Sequence, residues 1–144
     1  MRLNLGCLPE ELRKRHQWVV HKDDKIPYIA GGVGKASSTD SLTWRSFEEA
    51  VRALETGRYD GLGFVFSSGD PFAGVDLDDC RDMETGALEE WAEKIVEDFG
   101  GYAEVSQSGK GVHIIVKGKA PNKKRGKVEA YSSERYFTMT GWVF

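Results

Sequence analysis

Eight short runs rich in Val, Ile, Phe, Tyr and Thr, set apart by glycines and polar turns, constrain this chain most. They cover residues 17–22, 25–29, 62–67, 73–77, 103–106, 112–117, 128–131 and 136–140. Asp23-Asp24 between the first two reads as a hairpin turn. Only three stretches are helical in pattern. In 87–99, Leu88, Trp91, Ala92, Ile95, Val96 and Phe99 fall on one face, and Gly100-Gly101 stops the run. In 46–56, Ser46 and Glu49 make a capping box and Gly57 ends the helix. A weaker helix spans 9–15, with Pro in its first turn. The pattern predicts an α+β chain with a largely antiparallel sheet toward its C-terminal half.

At 144 residues, 40% hydrophobic and 30% charged, the chain buries a core without staples. No stretch approaches the roughly 20 apolar residues of a membrane span. The opening residues carry no apolar signal-peptide segment. Cys7 and Cys80 are too few for a zinc cage or a disulfide framework. A reducing, cytoplasmic setting is therefore expected, with no membrane partner. The net charge of -3 hides an uneven distribution. Between Asp76 and Asp98 there are ten acidic residues against Arg81 and Lys94. Between Lys117 and Lys127 there are six basic residues and no acid. That basic run is broken by Gly, Pro and Asn, so it reads as a loop, either solvated or tracking phosphates.

Three motifs carry candidate chemistry. In Gly74-Val75-Asp76-Leu77-Asp78, strand alternation puts Asp76 and Asp78 on one face. Carboxylates about 7 Å apart on one face repel unless a cation lies between them. Hard oxygen donors of this kind suit Mg²⁺ or Mn²⁺. The second motif, Ser106-Gln107-Ser108-Gly109-Lys110-Gly111-Val112-His113, is a turn that can offer N–H groups and hydroxyls to phosphate oxygens. His113 opens the next strand, facing opposite to Val112 and Ile114. The third places Glu129 inside an apolar run, where an unpaired carboxylate is costly, and Arg135 as a bidentate phosphate partner.

Several other chemistries are excluded. An EF-hand starting at Asp76 would need Gly where Arg81 stands and Glu where Ala87 stands. A P-loop near Gly34-Lys35 would need Gly at Ile29 and Ser or Thr at Ala36. Residues 60–67 approach the RNA-recognition signature but lack its opening basic residue and two of its aromatics. Neither Ser106 nor Ser108 has the glycine that a hydrolase elbow requires, and the zinc-deaminase pattern is absent.

In order and spacing, the three motifs together resemble the archaeo-eukaryotic primase superfamily, in particular the primase-polymerase domains of phages and mobile elements. The resemblance runs from Gln17-Trp18-Val19 to Gly141-Trp142-Val143-Phe144. It takes in Lys25-Ile26-Pro27-Tyr28, Lys35-Ala36-Ser37-Ser38-Thr39-Asp40 and Arg135-Tyr136-Phe137-Thr138. It implies a single catalytic core across residues 1–144: an N-terminal α/β module (about 1–60) packed on an RNA-recognition-motif-like antiparallel sheet (about 61–144). It implies a nucleotidyltransferase acting in DNA replication by two-metal-ion addition of nucleoside triphosphates to a primer on a DNA template.

Asp76, Asp78 and Glu129 would hold Mg²⁺ or Mn²⁺. Ser106, Ser108, Gly109, Lys110 and His113 would grip the triphosphate, with Arg135 assisting. Lys25, Lys35, Lys123, Lys124 and Arg125 are the candidate nucleic-acid contacts. Longer relatives continue into a helical module and often a helicase, so those priming functions are expected from a separate module. The rivals are a rolling-circle-type nicking nuclease and a non-catalytic nucleic-acid-binding module. The nuclease needs a second histidine where His113-Ile114-Ile115 offers none.

Overall fold

The structure, a computed structural model, describes residues 3–144. Its elements are α1 (Glu10–Arg13), β1 (Trp18–His21), β2 (Pro27–Tyr28), α2 (Phe47–Glu55), β3 (Gly61–Phe66), β4 (Phe72–Leu77), α3 (Glu90–Phe99), β5 (Tyr102–Val105), β6 (Val112–Lys117), β7 (Lys123–Arg125), β8 (Val128–Tyr131) and β9 (Arg135–Met139). They form an α+β fold of two antiparallel sheets with few helices. The first sheet has the order β2-β1-β3-β9 and the second β5-β6-β4-β8-β7. No helix among the described residues is long and apolar enough to cross a membrane.

Each of the eight strand-like runs holds a strand. The β1–β2 hairpin turns at Asp23-Asp24 as expected. The capping box at Ser46 and Glu49 is formed in full and starts α2. The helix expected at 87–99 is shorter: Leu88 instead bridges to Arg81, and Glu89 is the N-cap. The basic run read as a loop contains a strand, because β7 pairs with β8 from Lys123↔Ala130 to Arg125↔Val128. Three consecutive cations were a poor strand signal. A sheet edge tolerates them, since Lys there discourages pairing with another chain.

The two sheets interleave in sequence. β3 and β9 complete the sheet begun by the N-terminal strands, although both lie beyond residue 60. The main core gathers Trp18, Phe64, Phe66, Phe72, Phe137 and Met139 under α1 and α2. The rings of Phe66 and Phe137 meet edge-to-face at 5.0 Å. Gly74 of β4 faces these rings, and a Cβ there would collide with Phe137 and Phe66. On the far side of the second sheet, Val75, Leu77, Val112 and Ile114 pack against Ala92, Ile95 and Val96 of α3. Alternation therefore turns the polar residues of β4 and β6 toward the first sheet.

Candidate active site

Sheet register builds the site. His113 pairs with Asp76, and Asp76 pairs with Glu129 on its other side. The row continues to Glu104 beyond His113 and to Lys124 beyond Glu129. Cross-strand partners share a face, with Cβ atoms about 4.5–5.5 Å apart. Five strands thus align Glu104, His113, Asp76, Glu129 and Lys124 in one line across the sheet. Asp78 follows two residues beyond Asp76 and is exposed.

The imidazole of His113 is held on three sides. Its Nδ1 donates to the Thr138 carbonyl at 3.0 Å. Its ring stacks on Phe137, with centroids 4.4 Å apart. Its Nε2 then faces Asp76, 3.5 Å from Oδ1. Behind it lies Glu104, fully buried, with Oε2 3.7 Å from Nδ1. Burial pushes the Asp76 carboxyl above its ordinary range; Asp78 and Glu129 add to the rise, while His113 and Lys25 oppose it. A cavity of about 160 Å³ opens over Asp76 and His113, walled by Lys25, Tyr131, Tyr136 and Phe137. The Tyr136 hydroxyl donates to the Lys25 carbonyl, which fixes the β1–β2 turn over the cavity.

The Ser/Gly/Lys turn closes one end of this face. The Ser106 and Ser108 hydroxyls lie 3.1 Å apart. Ser106 Oγ accepts from the Gly111 N–H, and Ser108 Oγ accepts from the Lys110 N–H. Gly109 sits at φ +80, a left-handed conformation that favours glycine. Arg135 is elsewhere. It is exposed at the start of β9, where its charge is felt by Tyr131. Tyr131 pairs with Gly74, at the opposite end of β4 from Asp78. The turn and Arg135 therefore flank Asp76 from opposite ends instead of forming one cluster.

The weaker nucleic-acid candidates also separate. Lys25 lines the cavity. Lys35 is exposed and bridges to Tyr28 on the outer edge of the first sheet. Of the β7 cations, Lys124 shares the face of Glu129, so alternation turns Lys123 and Arg125 to the other side. Lys119 is tied to Asp70, Ser67 and Ser132, a structural role. Lys117 pairs with Glu11 at 2.9 Å.

The donor chemistry fits a magnesium- or manganese-type ion. Asp76 is desolvated between two further carboxylates, an arrangement that cation charge relieves. Among the described residues no group of three His, Cys, Asp or Glu side chains is placed to hold a metal ion, so Asp76, Asp78 and Glu129 do not converge on one site as they stand. Magnesium commonly takes one or two carboxylates and leaves its other positions to water and phosphate.

Sequence reasoning missed Glu104, the Tyr131–Tyr136–Phe137 wall and Arg81, whose guanidinium donates to the Gly109 carbonyl at 2.9 Å. Glu104 had a readable signal: a carboxylate between Ala103 and Val105 in a short strand, the same pattern that singled out Glu129.

One antiparallel sheet thus carries a carboxylate–histidine–carboxylate row with a Ser/Gly/Lys turn at its end. No family model matches the chain. Its sequence is 40% identical, over 144 aligned residues covering 92% of it, to the DNA primase-polymerase of Nitratiruptor phage NrS-1. The resemblance read from the motifs is borne out by that match. The chain spans 20% of the length of this relative.

Proposed function

We propose that this chain is a catalytic core for template-directed nucleotidyl transfer, of the archaeo-eukaryotic primase type. The observation that carries the reading is the desolvated Asp76, set between His113 and Glu129 in one cross-strand row. The 40% identity to a phage primase-polymerase supports it. Asp76, Asp78 and Glu129 would hold Mg²⁺ or Mn²⁺, which when bound supplies activation of a primer 3′-hydroxyl and neutralises phosphate charge. The protein's own residues orient the rest. Thr138 and Phe137 fix the His113 ring so that Nε2 points into the cavity, where the imidazolium form, with both ring nitrogens protonated, would donate to a phosphate oxygen. The hydroxyls of Ser106 and Ser108 and the Lys110 ammonium take the outer phosphates at the turn. Arg135, at the far end, serves the template–primer or the base side of the nucleotide. Lys25 overhangs the same cavity, and Lys124 extends the positive edge for the nucleic-acid backbone.

Starting a strand requires two nucleotides held at once, with the added loss of translational freedom that this entails. The site gathers phosphate-binding groups for one nucleotide, so primer extension is the activity expected of it and unprimed synthesis should be weaker. A primer-extension gel with both nucleotide types, with and without primer, tests this. Divalent-dependent extension with little unprimed synthesis is expected. No extension under any of these conditions overturns the reading, and unprimed synthesis at a matching rate overturns the limit on priming.

A further inference from the structure

The loop between β4 and α3 folds back over the Ser/Gly/Lys turn, and Arg81 is its point of contact. The backbone N–H groups of Cys80 and Arg81 both donate to the Lys110 carbonyl, at 2.8 and 2.9 Å. The Arg81 guanidinium donates through Nη1 to the Gly109 carbonyl at 2.9 Å. Two carbonyls of the turn are thus occupied from one side, which removes acceptors that would repel a phosphate.

The guanidinium has donors to spare. It carries five N–H groups, and the Gly109 carbonyl takes one. Among the described residues no carboxylate lies within ion-pair distance of it. Asp82, its neighbour in sequence, directs its carboxylate to the N–H groups of Glu84 and Thr85. Arg81 is half-buried, and Nη2 lies beside Gly86, where a Cβ would come within 3.2 Å. A half-buried guanidinium with no direct ion pair and only the Asp82 charge near it, on the rim of a turn built from Ser106, Ser108 and Lys110, is complementary to an anion. Arg135, the arginine that sequence reasoning assigned to phosphate, lies at the other end of the face.

We propose that Arg81 is a phosphate-contacting residue that takes the terminal phosphate of a bound nucleoside triphosphate while holding the turn beneath it. The proposal rests on the nucleotidyl-transfer reading above. Three residues lie between Gly109 and His113, at most roughly 13 Å of chain if fully extended. A triphosphate anchored at His113 and an arginine side chain reaching back from Gly109 close that span between them.

The test is calorimetric titration of dATP and of dAMP, each with Mg²⁺, into the wild type, Arg81→Gln, Arg81→Lys and His113→Ala. Arg81→Gln is expected to weaken dATP binding by roughly ten- to a hundredfold, the loss of one charge-assisted phosphate contact. Its dAMP affinity should stay within about twofold, since dAMP has no terminal phosphate to lose; a merely structural role would weaken both nucleotides alike. Arg81→Lys keeps the charge and a donor for Gly109, so it should fold and recover part of the dATP affinity even if Arg81→Gln unfolds. Equal losses for dATP and dAMP, or a wild-type dATP affinity in Arg81→Gln, overturn the proposal. Binding of dATP that His113→Ala weakens but Arg81→Gln does not overturns the proposal alone. A wild type that binds no dATP overturns this proposal and the nucleotidyl-transfer reading together.

Discussion

Replacing Glu104 should cost more stability than replacing any of the carboxylates at the front of the site. Glu104 belongs to β5, yet it bonds to the end of β9, so it clasps the two sheets together. Its carboxylate accepts from the Thr140 N–H at 2.9 Å, the Gly141 N–H at 3.0 Å and the Tyr102 hydroxyl at 2.7 Å. The Thr140 hydroxyl has a single hydrogen, and its shorter contact is to the Val105 carbonyl, 2.7 Å against 3.1 Å. Glu104→Ala therefore strands two buried backbone donors, while the half-buried Tyr102 hydroxyl finds solvent. Each buried unsatisfied donor costs about 1–3 kcal/mol, giving about 2–6 kcal/mol in all. At roughly 4 °C per kcal/mol for a chain of this size, the melting temperature falls by about 8–24 °C. Glu104→Gln keeps one oxygen for Thr140 and presents its NH₂ to Tyr102, which can accept. Only Gly141 is then stranded, for about 1–3 kcal/mol. Denaturant unfolding followed by circular dichroism measures both. A Glu104→Ala protein within 1 kcal/mol of wild type would refute the clasp.

Other outcomes follow from the same geometry. The Asp76 carboxyl is raised in the fold, so its charge opposes folding once the pH exceeds the unfolded value, and the penalty is complete above the folded one. Without divalent ions, Asp76→Asn should match wild-type stability in acid and exceed it near neutral pH; a variant less stable at neutral pH would contradict the assignment. Burial pushes the Cys80 thiol up to about 11, whereas Cys7 is exposed. A thiol reagent at neutral pH should label one cysteine in the native protein and two after denaturation, and rapid double labelling would show the second sheet's core to be open. Neutralising Lys124 should reduce the salt dependence of DNA binding by a slope of about 1, while neutralising Lys123 and Arg125, on the other side of β7, should leave it unchanged. An unchanged slope in the Lys124 variant would leave β7 as a solvated edge.

Much of this was legible because strand alternation is a strict code. Once residues 112–117 were read as a strand, His113 had to oppose Val112 and Ile114, whereas Asp78, expected to share the face of Asp76, lies just past the end of β4 and is exposed. Local capping chemistry identified α2 to within a residue. What sequence could not supply was register. Nothing local says that Asp76 pairs with His113 on one side and Glu129 on the other, and that pairing makes the row. The same gap explains Arg135, joined to the Ser/Gly/Lys turn through the family resemblance of its motif, and Arg81, passed over as a lone cation in an acidic segment. β7 was missed because cation-rich edges carry no apolar signal. The interleaving of the sheets was hidden because β9 returns to β3 across about seventy residues of chain.

On the proposed function, the Asp76 row is a cation-dependent nucleotide site. Titration of dATP into the wild type, Asp76→Asn and Glu129→Gln, each with Mg²⁺ and with a chelator, tests it most directly. Binding by the wild type should collapse in chelator, and binding by both variants should be weak and no longer improved by Mg²⁺. Equal affinity with and without the ion, or wild-type affinity in Asp76→Asn, would contradict it.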